Sequence, residues 1–366
     1  MKFSCDKYVL QQAAASAARA AAAKSPIPTL EGLLIEAGAS VRITGYDLKK
    51  AIYTTIDADI PEPGSVLIGA RLFCEMLRRM PDGIVTVEAE NGTVSVKCGK
   101  AAFNLVGLSA DDYPDLPVVE AENGVSLPQD LLKKMINECS FAVSTNESRP
   151  VYMGTLFEIE NNVLTMVSVD GYRLALRREP VEGYGDDCSF IVPGTALSDL
   201  ERLCGDSDER VKMSVGSKHI SFTVGSTVIL SRRLEGDFLN YRKAMPDTFK
   251  IHIKVGRGEL LKVVDRVALI IDEKTKNPVR MTFNDNFIDC LCNTPIGKAE
   301  DVCFAEGNGE GLEIGFNGKY LMDALKAAPA DELDLCLNSN TSPCIIVPCD
   351  GSDKFKYMIL PIRLRS

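Results

Sequence analysis

The chain is short of histidine, with two in 366 residues, and it holds no G-x-x-x-x-G-K-[ST] phosphate loop, G-x-S-x-G elbow or H-E-x-x-H pair. Those absences remove the common nucleotide, serine-hydrolase and metalloprotease signatures, each of which needs its groups at a fixed spacing. No stretch approaches the roughly 20 apolar residues that cross a bilayer. The Ala-rich run from Ala13 to Ala23 is interrupted by Arg19 and is too weakly apolar for the core of a secretion signal. A cytoplasmic protein without membrane contact is expected. Positive charge is also in deficit, with 41 Lys and Arg against 51 Asp and Glu and a net charge of -10. Coating nucleic acid over a whole surface requires neutralising phosphates, so any DNA contact must be local.

Cysteine is plentiful at twelve residues, but the thiols are scattered and no export signal accompanies them, which reads as reduced thiols rather than a disulfide framework. The close pair is Cys290 and Cys292. With no C-x-x-C beside them and only His219 and His252 elsewhere, neither a structural zinc nor a cofactor is expected. The run Gly307-Asn308-Gly309-Glu310-Gly311 lacks G-x-G-x-x-G spacing and reads as a flexible turn. An enzyme built around a Cys98 or Cys139 nucleophile is the alternative, yet both lie in patterned strand or helix segments where packing is the plainer role.

What the chain does contain is a repeat. Its length exceeds what one core organises, and three segments share one plan of short strand, small-residue turn and amphipathic helix: VLIGARLFCEMLRRMP from Val66, FIVPGTALSDLERLCG from Phe190 and EIGFNGKYLMDALKAAP from Glu313. Phe73, Leu197 and Leu321 step by 124 residues, as do Met76, Leu200 and Ala324. A second helix opens each third, from Asp6, Pro128 and Gly258. In the middle copy Leu131, Leu132, Met135, Ile136 and Cys139 form one face and Lys133, Lys134 and Asn137 the other. Alternating strands joined by turn residues, such as IVTVEAE, Asn91-Gly92 and TVSVKC, predict hairpins. The fold class is therefore α+β: three repeated domains, antiparallel sheets, two helices per domain on one face. Domains are placed at 1–120, 121–245 and 246–366. Over the helical segments 6–24, 70–80, 129–143, 194–204, 258–271 and 317–328, basic residues number 13 and acidic residues 9. A mildly positive helical side against a strongly negative remainder suits DNA held in a channel.

The segments MKFSCDKYVL, ITGYDLKKAI, LSADDYPDLP, VDGYRLAL and the ending YMILPIRL resemble the bacterial sliding clamp family, the beta subunit of DNA polymerase III, along nearly the whole chain. The resemblance implies a non-catalytic, head-to-tail homodimer whose six domains close a ring, with helices lining a hole around double-stranded DNA and sheets outside. It implies phosphate contacts without sequence preference, for which Lys24, Arg71, Arg78, Arg79 and Arg149 are the candidates. The implied partners are a clamp loader, the catalytic subunit of the polymerase, and other polymerases and repair proteins that carry short hydrophobic peptides. Carried over by position, the peptide pocket comprises Tyr152, Val169, Gly171, Tyr172, Arg173, Leu174, Leu239, Lys243, Ala244, Thr341, Pro343, Met358, Leu360, Pro361, Ile362 and Arg363. Arg173, Lys243 and Arg363 are expected at its rim. The dimer is expected to bring Phe103 and Leu105 against Leu269 and Ile270. Lys243 stands where an Arg is familiar, Val169 where a Thr is, and NTPIGKAEDV is less acidic than its counterpart. The chain also runs on through Arg365 and Ser366. A monomeric scaffold that binds peptides but not DNA is the third reading, separated from a clamp by sedimentation.

Overall fold

The structure, a computed structural model, describes residues 1–119, 124–181, 187–272 and 277–364. The expected boundary at 120/121 lies outside the described residues, as do Arg365 and Ser366. Seven α-helices occur among the described residues: α1 Lys7–Ala18, α2 Ala70–Arg79, α3 Gln129–Ser140, α4 Gly194–Leu203, the one-turn α5 Tyr241–Ala244, α6 Arg257–Ala268 and α7 Gly318–Ala327. Two compact units divide the chain, one drawing on Met1–Lys133 and Thr195–Arg233, the other on Lys134–Val181 and the chain from Leu234 onward.

In the first unit Asp6 caps α1, its carboxylate accepting from Tyr8 N at 2.8 Å and Val9 N at 3.3 Å. Leu10, Ala13, Ala14 and Ala17 make its buried face. Small residues there let strand Val41–Tyr46 approach so closely that a Cβ on Gly45 would sit 2.1 Å from the Ala17 carbonyl oxygen. The helix ends sooner than the expected Lys24. Arg19, Ala20 and Ala21 turn back onto the carbonyls of Ser16, Ala17 and Ala18, and Ala22 N then bonds Leu30 O at 2.8 Å. Such i→i+3 bonds tighten and close a last turn, so Lys24 lies on a connection and not on the helix. Helix α2 buries Ala70, Phe73, Met76 and Leu77 and packs on α1.

Among the described residues every strand pairing is antiparallel, as in Lys2–Asp6 with Ile84–Glu90. A five-stranded sheet runs Asp59–Glu62, Lys2–Asp6, Ile84–Glu90, Thr93–Cys98, Ala101–Val106. Asn91 and Gly92 take φ of 49° and 75°, as the expected hairpin requires. An eight-stranded sheet runs Gly124–Pro128, Arg210–Val215, His219–Val224, Thr227–Arg232, Lys50–Ile56, Val41–Tyr46, Gly32–Ala37, Gly64–Gly69. It joins strands of two sequence repeats through Thr227–Arg232 against Lys50–Ile56.

The second unit holds a ten-stranded sheet: Cys188–Pro193, Gly154–Glu160, Val163–Val169, Arg173–Pro180, Phe355–Ile359, Cys344–Pro348, Glu332–Leu337, Ile251–Gly256, Gly297–Phe316, Val279–Thr294. Its junction between repeats is Arg173–Pro180 against Phe355–Ile359. Helices α6 and α7 pack together, and Asn317 caps α7. The glycine-rich run 307–311 is not a turn: it lies inside strand Gly297–Phe316, where the register shifts opposite Asp285. Two long strands that curve need such an irregularity.

Candidate functional site

The junction in the second unit gathers the expected pocket. Val163–Val169 and Arg173–Pro180 are joined by a turn in which the Asp170 carboxylate accepts from Tyr172 N at 2.9 Å and Arg173 N at 3.1 Å, with Gly171 at φ +92°. The turn sets Leu174 opposite Val169 on one side and Met358 on the other. Val169, Leu174 and Met358 join one apolar cluster with Leu156, Ile345 and Cys336, against which Tyr152, Leu239 and Leu360 pack. Tyr172 is left 62% exposed at its edge. Lys243 and Ala244 sit on α5, which Asn240 caps by accepting from Lys243 N at 3.1 Å. Lys243 is exposed and Ala244 half-buried. Pro361, Ile362 and Arg363 follow the last strand, tied down where Ile362 N donates to Gly315 O at 2.7 Å. Thr341 and Pro343 lie on the connection into Cys344–Pro348, with Thr341 exposed.

Arg173 does not stand at the rim. It is 8% exposed, its Nε donates to Asp170 at 2.9 Å and its Nη1 to Asp323 at 2.6 Å, and its guanidinium lies 4.3 Å from the Tyr320 ring centroid. A guanidinium with two carboxylates and an aromatic face already engaged braces the turn instead of greeting a ligand.

Beside the same cluster is a cavity of about 370 Å³, lined by Leu176, Tyr241, Met245, Phe249, Ile345 and Val347 with Arg178, Arg242 and Lys356 among its polar residues. The Tyr241 hydroxyl donates to Glu158 at 2.5 Å, and burial with that carboxylate pushes its phenol up to about 12. Arg242 bonds both Glu158 and Glu160. Alternation in the sequence could have flagged Phe249 and Val347 as apolar, but nothing local announces that they meet.

Of the cations expected to face DNA, Arg71, Arg78 and Arg79 share the exposed side of α2, and Glu75 bridges Arg71 at 3.7 Å and Arg79 at 3.8 Å. Lys24 is exposed on its connection. Arg149 stands beside the pocket, its guanidinium 6.0 Å from the Tyr152 ring centroid. Of the expected dimer residues, Phe103 is 41% exposed on the edge strand Ala101–Val106 and Leu105 is half-buried against the core. Leu269, the C-cap of α6, is 86% exposed, and Ile270 is half-buried.

The two thiols weighed as nucleophiles sit in apolar packing. Cys98 donates to Pro81 O at 3.2 Å, and Cys139 is fully buried with its thiol pushed up by that burial. A reactive cysteine needs the opposite, a lowered pKa and access.

Comparison with known proteins agrees along the whole chain. Residues 1–117, 126–240 and 242–363 match the N-terminal, central and C-terminal domains of the DNA polymerase III beta subunit. The beta sliding clamp of Staphylococcus aureus is 32% identical over 357 residues, 94% of each chain. The DNA polymerase sliding clamp from Bacillus subtilis superposes with a TM-score of 0.96 at 31% identity over 100% of both chains. A putative DNA polymerase III beta subunit from Eubacterium rectale does so at 0.95, with 31% identity over 99% of both.

Proposed function

The chain belongs to the DNA polymerase III beta subunit family, and from that premise we propose that it is a non-catalytic sliding clamp, two copies of which close head to tail around duplex DNA and tether a polymerase. Its repeats are taken as 1–120, 121–245 and 246–366. The observation that carries the reading is one junction used twice. In each unit the last strand of one repeat pairs with the strand bearing Ala51 or Ala175 of the repeat before it. In each, an aspartate on the second long helix of the later repeat, Asp199 of α4 or Asp323 of α7, holds a basic residue of that strand, Lys50 or Arg173. Ala51, Ala175 and Ala299 are evenly spaced in the chain, and so are Glu75, Asp199 and Asp323.

A third junction then needs a second copy. Ala101–Val106, the last strand of the first repeat, ends its sheet, and the stretch around Ala299 in Gly297–Phe316 carries exposed Val302 and Phe304. Paired between copies, these edges set Lys298 near Glu75 as Lys50 is set near Asp199. Phe103 and Leu105 in the joining strand would meet Leu269 and Ile270 at the end of α6, with Leu72 of α2, 59% exposed, beside the contact. Both edges are heterologous, so the contact closes only if the rotation fits.

Lys24, Arg71, Arg78, Arg79 and Arg149 would contact phosphates and leave bases unread. The apolar cluster would take short hydrophobic peptides of the polymerase catalytic subunit, the clamp loader and other polymerases and repair proteins. One large anchor contributes roughly 1.5 to 3 kcal/mol, so two anchors supply about 3 to 6 kcal/mol, and a micromolar affinity of about -8 kcal/mol needs polar contacts along the peptide as well. In primer extension on a long template, the chain should lengthen the product made per polymerase binding event. Unchanged product length in the presence of a clamp loader contradicts the reading.

A further inference from the structure

Alternation along two neighbouring strands sets three different metal-ligand atoms on one face. In Ile251–Gly256, Ile253 and Val255 are buried, so His252 projects from the other side. In Glu332–Leu337, Leu333, Leu335 and Leu337 fill the core, and Asp334 and Cys336 share the opposite face. The register puts His252 directly across from Cys336. His252 Nδ1 is 2.8 Å from Asp334 Oδ2 and 3.6 Å from Cys336 Sγ, and one donor atom of each lies within 4.8 Å of the others. Asp334 Oδ1 is buried and has no hydrogen-bond partner among the described residues. The imidazole is 54% exposed and the Asp334 side chain 18%, so the cluster opens to solvent through the ring. Behind it Cys336 packs with Ile345 and Met358, and the Phe249 ring meets the imidazole edge-on at 6.1 Å.

We propose that His252, Asp334 and Cys336 form a binding site for a divalent cation of the zinc class. One nitrogen, one oxygen and one sulfur donor are the set that Zn²⁺ takes, and bonds of about 2.0 to 2.3 Å in a tetrahedron put donors about 3.3 to 3.6 Å apart, so the 3.6 Å His252–Cys336 spacing already fits and the 2.8 Å His252–Asp334 contact opens by about half an ångström. A thiolate disfavours Mg²⁺ and Ca²⁺. On binding, Cys336 gives up its thiol proton to solvent, and the Nδ1 proton shared with Asp334 leaves through solvent while Nε2 takes one up, which frees the Nδ1 lone pair for the cation. With three protein ligands, the fourth position goes to water. The pair Cys290 and Cys292 takes no part.

The test is titration of the full-length chain with Co²⁺, which reports a thiolate ligand by its charge-transfer absorption and a tetrahedral site by its visible bands, followed by displacement with Zn²⁺. One equivalent should bind, and Zn²⁺ should raise the melting temperature. Cys336→Ser should lose the charge-transfer band. His252→Ala, at an exposed position that leaves the fold intact, and Asp334→Asn should each weaken Co²⁺ binding at least tenfold. Absence of the band in the unaltered protein, or a band of equal strength and stoichiometry in His252→Ala, overturns the assignment.

Discussion

The two junctions between repeats are built alike and lined differently. Each has a strand pair across the repeat boundary, a helix aspartate holding a basic residue, and a connecting loop that starts in a one-residue bridge, Leu67 with Leu108 and Ile191 with Leu234. In the first unit the cleft under that loop, about 980 Å³, mixes Glu36, Arg42, Thr44, Asp111 and Asp115 with apolar Leu34, Leu116, Val119, Val228 and Leu230. Arg42 lies 4.0 Å over the Tyr53 ring, and Thr54 and Thr227 hydroxyls bond at 2.9 Å. In the second unit the same place holds Val169, Leu174, Met358 and Ile345. Charged groups set among the apolar ones keep their water and leave a hydrophobic anchor less to gain than a lining without them. The fold makes the location twice, and on the proposed reading the side-chain chemistry decides which of the two would take a peptide.

The most direct way to break this contrast is calorimetry with a hydrophobic peptide, which should give one site per chain. Two equal sites would mean the lining does not discriminate. Nearly as large an effect separates two truncations. Met358 is paired with both Leu174 and Ile345, so deletion from Met358 takes the buried Met358 and Ile359 from the strand Phe355–Ile359 and should unfold the second unit by circular dichroism. Deletion from Pro361 leaves every residue of that strand and should weaken peptide binding roughly 10- to 100-fold, the value of one or two apolar contacts. Normal affinity in the shorter deletion would move the pocket away from Pro361, Ile362 and Arg363.

The contrast is sharpened by the third junction. Glu75→Lys or Lys298→Glu should each weaken the dimer by about 2 kcal/mol, as loss of an interfacial charge pair does, and the double exchange should restore it in sedimentation. Failure of the double exchange to restore would show that the repeat does not carry over between copies. The smallest effect is expected on α2. Reversing Arg71, Arg78 and Arg79 should make the salt dependence of DNA retention shallower by a log–log slope of about three, equally for all DNA sequences. An unchanged slope would place the phosphate contacts elsewhere.

Much of this was readable in the residues. The 124-residue step, the Asn91-Gly92 hairpin and the apolar face of α3 through Leu132, Met135, Ile136 and Cys139 follow from sequence pattern, and the structure has them. What local pattern does not carry is the choice of distant strand partners. Nothing in KKAIYTTI announces Thr227–Arg232, nor in IHIK that His252 stands across from Cys336. The error over Arg173 has the same source, since Asp323 is 150 residues away in sequence. The early end of α1 depended on Leu30 capturing Ala22 N, another contact that alanine-rich sequence hides.

A ring closed around duplex DNA is held by topology instead of by affinity alone. After loading onto a nicked circular duplex, it should stay bound at a salt concentration that screens phosphate contacts, and it should run off once the circle is cut. Equal retention on circular and linear DNA, or loss from both, would contradict a closed ring.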